Sequence, residues 1–385
     1  QKQCHGQKGA GSLKKLPENQ MKIREWLGEI SYTLQQGSLD AEVSEVVYDS
    51  RKAGPGAVFI CIKGTRRDSH DFIPQVTEAG VRVLVTEHPV EVSSQVTVIV
   101  VENGREALAR LSAARFGNPS RKLLMIGVTG TKGKTTTTHM VKTILEAAGK
   151  KTGMIGTNGV MIGTDHYPTV NTTPESYDLH RYFAQMTEAG CECCVMEVSS
   201  QAMKMHRVTG IVFDCAVFTN ISPDHIGPDE HADFAEYLFY KKQLFTQSRR
   251  AFVNLDDEHF QEIIKDIPCP WTGFGLMENQ KDCPRAEDSS EKNHTGSDYL
   301  AEHIEYVSEP DFVGTGFDIR GEHEIPVWVS IPGKFNVYNA LAAAAVTLWC
   351  GVPKERLQHA MEHLKINGRM EIVHTSQRCC VIVDY

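Results

Sequence analysis

The sequence predicts an α/β protein in which a small N-terminal α/β unit precedes a larger one built on a mainly parallel, doubly wound sheet. Three observations lead there. From Leu123 onwards, apolar runs of strand length alternate with amphipathic stretches of helical period. A glycine-rich turn, Gly130–Gly133, joins the apolar run Leu123–Val128 to a helical pattern in which Met140, Val141, Ile144, Leu145 and Ala148 share one face. Just upstream, Gly117-Asn118-Pro119-Ser120 interrupts the pattern as a domain junction. A length of 385 residues fits two or three units.

Taken in order, residues 1–20 are basic and polar with no apolar h-region, so they read as an extension and not as a secretory signal. Residues 21–120 form the first unit, with strand-like runs Val43–Tyr48, Ala57–Ile62, Val81–Thr86 and Val96–Val101 and a helix-like stretch Arg105–Phe116. Residues 121–366 form the second, with strands predicted at Leu123–Val128, Cys193–Val198, Ala216–Asn220 and Ala251–Leu255. Helices are predicted at Phe234–Phe245 and Val337–Leu348, and the polar stretch Met277–Tyr299 reads as an exposed loop or insertion. Residues 367–385 are a short final segment. Internal repeats are absent.

Composition narrows the function. An apolar content of 41% supports real cores, and a net charge of −9 without a basic run argues against a nucleic-acid partner. No apolar run reaches the roughly 18 residues of a membrane span, so no membrane partner is expected. Eleven cysteines are too sparse for a disulfide scaffold. Cys191, Cys193 and Cys194 have the wrong spacing for a zinc site and read as reduced, buried thiols, which points to the cytoplasm.

The chemistry concentrates at predicted strand ends, where open α/β sheets bind ligands. Gly130-Thr131-Lys132-Gly133 can fold its N–H groups around phosphate oxygens, because glycine places no Cβ in the way. The helix start behind it adds about half a positive charge. Lys134 would reach the β/γ-phosphates, and the Thr135 hydroxyl, beside Thr136, would ligate Mg²⁺. A nucleoside triphosphate is therefore expected, although Val128 stands where the general pattern has its first glycine. At the second strand end, Glu197 can ligate Mg²⁺ on a bound triphosphate, the plainer alternative being a surface carboxylate or a helix cap. The third end runs from Asn220 to His225, where the histidine reads equally as a ligand or as an ordinary loop residue. Spacing alone makes Lys241 and Lys242 a solvated pair.

Together these segments resemble the Mur ligase family, and within it the MurE type, which adds the third amino acid to the peptidoglycan stem peptide. Gly127–Thr138 is similar to the family's ATP loop, which also lacks the first glycine. Asn171–Glu175, Glu197–Ser200 and His206-Arg207-Val208 resemble its muramyl-substrate and metal segments, and Phe218–Ser222 with Asp224-His225 its second metal segment. Asp49-Ser50-Arg51, Pro55-Gly56 through Phe59, Gly64 and Asp68 resemble the uridine-binding domain. Gly333–Asn339 resembles the adenine-side motif, while Gly368–Glu371 and Val383–Tyr385 resemble the start of the third domain.

The resemblance implies roles. Lys134 and Thr135 hold the triphosphate, and Glu197 with His225 binds Mg²⁺. Lys241, four residues after Tyr237 and three before Leu244, matches the family's carbamylated lysine, whose carbamate binds a second Mg²⁺. Asn336, Asn339 and Arg369 face the nucleotide, and Tyr48, Ser50, Thr65, Thr172, Thr173, Ser199 and Arg207 face UDP-muramoyl dipeptide. The other substrate is a diamino acid, meso-diaminopimelate or L-lysine, and the enzyme is expected to be a monomer. The implied reaction is ATP-dependent amide formation through an acyl phosphate.

The chain departs from the family pattern at two places. Met205 stands where many relatives carry a polar residue, and the sequence ends at Tyr385, where relatives continue with Ala-His and a third, Rossmann-like domain. The expectation is a chain that binds nucleotides but is incomplete as a ligase, with that domain essentially missing. Two alternatives stay open: a catalytically silent binding module, or another ligase of the Mur or folylpolyglutamate type. Asp49-Ser50-Arg51 argues against the folate enzymes, which start at the ATP domain.

Overall fold

The computed structural model describes residues 20–64, 67–228, 230–280, 293–309, 312–321, 324–366, 371–375 and 380–383. Of the expected N-terminal extension only Gln20 is among them. The described parts divide into two compact units. One comprises Gln1–Lys122, Pro174–Glu188 and Gln201–Ile211, and the other Leu123–Thr173, Ala189–Ser200 and Val212–Tyr385. Helix Ser176–Glu188 and the segment Gln201–Ile211, late in sequence, thus pack into the first unit.

The first unit is built on a five-stranded sheet in the order Tyr32–Gln36, Thr97–Val101, Val83–Thr86, Ala57–Ile60, Glu45–Val47. Four strands are parallel, and Tyr32–Gln36 runs antiparallel at the edge. Ala57–Ile60 and Val83–Thr86 are buried along their whole length, as apolar strands covered on both faces must be. One face packs Val58, Ile60, Val83 and Val85 against Leu108 and Leu111 of helix Gly104–Arg115, and the other packs Phe59 and Leu84 against Ile73 and Val76. That helix starts where Asn103 accepts from the N–H groups of Arg105 and Glu106. Tyr32–Gln36 has no counterpart among the predicted strands. Ile30, Tyr32 and Leu34 do alternate with polar residues, but Tyr32 and Leu34 remain exposed on this edge strand.

The second unit holds an eleven-stranded sheet. Its parallel centre runs Thr152–Gly156, Cys193–Glu197, Leu124–Thr129, Cys215–Phe218, Ala251–Asn254, Trp271–Leu276, Tyr299–Ser308. Antiparallel strands extend both edges: Gly159–Ile162 and Asp165–Tyr167 on one side, Val313–Arg320 and Ile325–Val329 on the other. The mainly parallel sheet expected from the alternating pattern is therefore present, with an antiparallel border at each end. Helices Lys134–Ala147, Lys334–Trp349 and Lys354–Glu362 contribute to one core with Val128, Val195, Val217 and Phe252. Cys193, Cys194 and Cys215 are buried as free thiols within the strands.

Register sets the functional end of this sheet. Val128 pairs with Glu197 on one side and with Val217 on the other, and Thr129 pairs with Phe218. The carboxyl ends of three adjacent parallel strands therefore lie level, and their continuing loops, from Gly130, Val198 and Thr219, emerge together. No described helix is long and apolar enough to cross a membrane.

Candidate active site

The loop after Leu124–Thr129 needs its glycines. Gly130 has φ 150°, and a Cβ there would lie 2.0 Å from Thr219 Oγ1. Gly133 has φ 86°, and its Cβ would lie 2.4 Å from Asn339 Oδ1. The neighbouring segment fixes the loop between them. The Thr131 N–H donates to the Asn220 carbonyl at 2.8 Å, and the Lys132 N–H donates to Asn220 Oδ1 at 2.9 Å. The Lys132 carbonyl accepts from Thr219 Oγ1 at 2.7 Å and from Asn220 Nδ2 at 3.0 Å. Thr131 Oγ1 accepts from the Ser222 N–H at 3.0 Å and bonds Tyr237 OH at 3.0 Å, so this side chain braces the loop from behind. Thr136, on the first turn of the helix, is buried. Helix Lys134–Ala147 opens directly on the loop, and the first N–H groups of a helix have no acceptor within it. Contrary to the expected loop cradle, the Thr131 and Lys132 N–H groups are taken by Asn220, and it is the helix start that offers N–H groups to an anion.

Glu197 is 1% exposed and sits between two hydroxyls. Its Oε1 accepts from Thr135 Oγ1 at 3.0 Å and from the Thr157 N–H at 2.8 Å, and its Oε2 accepts from Thr157 Oγ1 at 3.2 Å. The carboxylate lies so near the next strand that a Cβ on Gly156 would fall 2.3 Å from Oε1. Thr157 also bonds Thr172 at 3.1 Å between hydroxyls. Thr173 Oγ1 donates to the Glu197 carbonyl at 2.9 Å and accepts from the Ser199 N–H at 3.2 Å. Thr172, Thr173 and Ser199 thus gather around Glu197. Thr157 was not among the residues singled out from sequence; the only available signal is Gly156-Thr157 at the end of an apolar run.

Lys241 corrects the expectation of a solvated lysine pair. Lys242 is half-buried and donates to the Glu262 carbonyl at 3.0 Å, but Lys241 is 1% exposed. Its Nζ donates to the Gly130 carbonyl at 2.7 Å and lies 4.4 Å from the centre of the Tyr237 ring. Burial holds the amine's pKa well below the usual lysine range, Lys134 pushes it the same way, and Asp224 opposes both. The reason is the helix register. On Phe234–Gln243, Tyr237 and Lys241 share the buried face, which residue spacing alone does not reveal in a helix of low amphipathicity.

Lys134 Nζ donates to the Gly130 and Thr131 carbonyls at 2.8 and 3.1 Å. His225 has φ 55° and is half exposed, with Nδ1 2.8 Å from Glu230 Oε1 and Nε2 3.9 Å from Asp224 Oδ2. Among the described residues, no group of three or more His, Cys, Asp or Glu side chains is placed to hold a metal, so Glu197 and His225 share no such group. What the structure offers Mg²⁺ is a hydroxyl and a carboxylate, Thr135 and Glu197, 3.0 Å apart at the helix start. These hard oxygen donors fit an ion that keeps several waters and binds through one or two carboxylates and phosphates.

Asn336 and Asn339 are tied to the same loop. Asn339 Oδ1 accepts from Thr137 Oγ1 at 3.3 Å, Asn339 Nδ2 donates to Asn336 Oδ1 at 3.2 Å, and Asn336 Nδ2 donates to the Pro332 carbonyl at 2.8 Å. Nearby Tyr338 OH donates to Asp256 Oδ2 at 2.9 Å, and Asp256 also accepts from Gln280 Nε2 and the Leu276 N–H. Neither Asp256 nor Tyr338 was singled out from sequence.

The remaining substrate candidates lie in the first unit. Tyr48 is half-buried, with burial and then Asp178 and Glu175 raising its pKa. Ser50 opens the turn Ser50–Lys52, capped by Asp49, whose carboxyl the Arg51 guanidinium holds down at about 2. Arg207 donates from Nε to Glu175 Oε1 at 2.8 Å. Thr65 and Arg369 lie outside the described residues.

Known proteins resemble this chain in sequence and in fold. The model of the Mur ligase middle domain matches residues 128–347, and that of the Mur ligase family catalytic domain matches 42–116. The UDP-N-acetylmuramoyl-L-alanyl-D-glutamate–2,6-diaminopimelate ligase 1 of Clostridium acetobutylicum is 38% identical, over 95% of this chain and 72% of its own length. The corresponding ligase of Clostridium perfringens is 36% identical over the same shares. A solved structure of a ligase of that name has a TM-score of 0.77 at 22% identity, covering 93% of this chain and 70% of that one, a likeness of fold. The chain belongs to the Mur ligase family.

Proposed function

We propose that this chain acts in joining a diamino acid to UDP-N-acetylmuramoyl-L-alanyl-D-glutamate with hydrolysis of ATP to ADP. As a Mur ligase it is an ATP-dependent amide ligase of peptidoglycan precursor synthesis. The relatives are named for 2,6-diaminopimelate, which supports that amino acid over L-lysine. One observation carries the reading: Lys134, Lys241 and the Thr135–Glu197 pair converge on the single loop at Gly130.

The chemistry follows from those groups. A carboxylate is a poor acyl donor because oxide would have to leave, so the γ-phosphoryl is transferred first and an acyl phosphate forms. Lys134, released from the Gly130 and Thr131 carbonyls, places its charge on the phosphates, and the N–H groups of the helix start orient them. Thr135 and Glu197 would hold Mg²⁺ with His225, and a carbamylated Lys241 a second ion; Mg²⁺ supplies neutralisation of phosphate charge. Thr172, Thr173, Ser199 and Arg207, with Tyr48, Ser50 and Thr65, bind the muramoyl substrate, and Asn336, Asn339 and Arg369 the nucleotide. The incoming amine attacks the acyl phosphate and phosphate leaves. We expect a monomer working in the cytoplasm, where ATP and the precursor are found, without nucleic-acid or membrane partners.

Calorimetry with a non-hydrolysable ATP analogue and with UDP-N-acetylmuramoyl-L-alanyl-D-glutamate tests binding. Phosphate release with diaminopimelate or lysine then tests turnover. Saturable binding of both and diaminopimelate-dependent release are expected. Binding of both without release under any amino acid would favour a binding module or an incomplete ligase, and binding of neither would sink the reading.

A further inference from the structure

His231 holds a position that neither phosphate binding nor the substrate residues account for. It is 1% exposed, although it ends a polar turn that begins at the half-exposed His225. Its Nε2 and Ser200 Oγ share a hydrogen bond at 2.9 Å, and Ser200 is itself buried, three residues after Glu197. The ring lies beside both tyrosines of the following helix, 5.3 Å from Tyr237 and 5.7 Å from Tyr240 between centroids. Nδ1 is 3.7 Å from Glu236 Oε2, which also accepts from the Ala232 N–H at 2.6 Å. The backbone closes the turn: the His231 N–H donates to the His225 carbonyl at 3.1 Å, and the Gly227 N–H donates to the His231 carbonyl at 3.0 Å.

We infer that His231 is a positioning residue that pins the turn carrying His225 to the end of the Glu197 strand. The inference rests on the proposed reading of Glu197 and His225 as metal-binding groups. A turn of this length has many conformations and would hold His225 nowhere in particular. Beside the contact of His225 with Glu230, one residue limits that freedom in two ways. Its main chain fixes the turn internally, and its side chain fixes the turn externally, to Ser200 on one side and to the tyrosines on the other. Tyr237 is in turn bonded to Thr131 of the phosphate loop and lies under Lys241, so the pin reaches both neighbouring elements of the site. Histidine suits the place because it combines an aromatic ring with a ring nitrogen that can meet a hydroxyl. Phenylalanine could fill the gap but not bond Ser200.

The test uses the full chain with Ser200→Ala, His231→Phe, the double variant and His225→Ala. Hydrogen exchange of the amides of Gly227 and His231 reads the turn directly. Manganese binding in the presence of ADP, followed by electron paramagnetic resonance, reads the consequence. Ser200→Ala and His231→Phe should each accelerate exchange in the turn about tenfold while distant strands exchange as before. Each should weaken Mn²⁺ binding by about tenfold, with no further loss in the double variant. Ser200→Ala is the milder change and keeps the test valid should His231→Phe fail to fold. Unchanged exchange in Ser200→Ala would overturn the pin, whatever the metal affinity. His225→Ala should weaken Mn²⁺ binding but leave the exchange of Gly227 unchanged; Mn²⁺ affinity unaltered in that variant would overturn the reading of His225 and not the pin.

Discussion

Lys134 and Lys241 donate to one acceptor, the carbonyl of Gly130, at 2.8 and 2.7 Å. Two amines sharing one carbonyl repel when both are charged, and the low pKa direction of Lys241 reflects that neighbour as well as burial. A polyanion at the loop removes the conflict, since it draws Lys134 away to the phosphates. A carbamate on Lys241 would remove it from the other side.

Replacing Lys134 with alanine should therefore weaken binding of an ATP analogue about tenfold to a hundredfold, roughly 1.4–2.8 kcal/mol. Calorimetry at constant salt measures it. A change below twofold would mean that Lys134 does not reach the phosphates.

Lys241 should gain the mass of one CO₂ in bicarbonate buffer, seen by gentle intact-mass spectrometry. Lys241→Ala should lose ligase turnover, and small carboxylic acids should restore part of it. Failure of both the mass shift and the rescue would leave Lys241 as an ordinary buried amine.

Gly156→Ala presses a methyl to within 2.3 Å of Glu197 Oε1 and must displace either the strand or the carboxylate. Overpacking of this kind costs about 1–3 kcal/mol. The expected result is a lower melting temperature together with a raised Mg²⁺ requirement. Unaltered values for both would show that the carboxylate has room to move.

His180 gives a pH dependence. It is fully buried, edge-on to Phe183, and neither ring nitrogen has a hydrogen-bond partner among the described residues. Burial lowers its pKa from 6.5 to about 3. The unfolded chain thus takes up a proton that the folded chain refuses. This group's contribution is complete above pH 6.5 and is lost as pH falls towards 3, by up to about 1.4 kcal/mol per pH unit. Urea unfolding of the wild type and of His180→Leu between pH 7 and pH 5 checks it. The variant should lose less stability over that range, and parallel curves would contradict the assignment.

How much of this was legible beforehand depends on where each residue's partners lie. The phosphate loop is local: glycine, lysine and threonine follow one another, and the strand and helix that hold them are adjacent in sequence. Leu124–Thr129 and Ala251–Asn254 accordingly fall within a residue of their predicted ends. Thr157, Asp256 and His231 are different. Their partners are 40, 82 and 31 residues away, chosen by strand register and helix packing. Nothing near them in sequence announces those meetings. The same holds for the border strands Gly159–Ile162 and Asp165–Tyr167, too short for a period to emerge.

Helix Lys334–Trp349 is enclosed around most of its circumference, with Ala342, Ala343, Ala344 and Ala345 all at 0% exposure. Methyl groups packed at crystal-like density leave no slack in which the helix can shift. Asn336 and Asn339 at one end and the loop around Gly133 therefore belong to a single stiff body. On the proposed assignment, base and triphosphate are gripped by the two jaws of a fixed caliper.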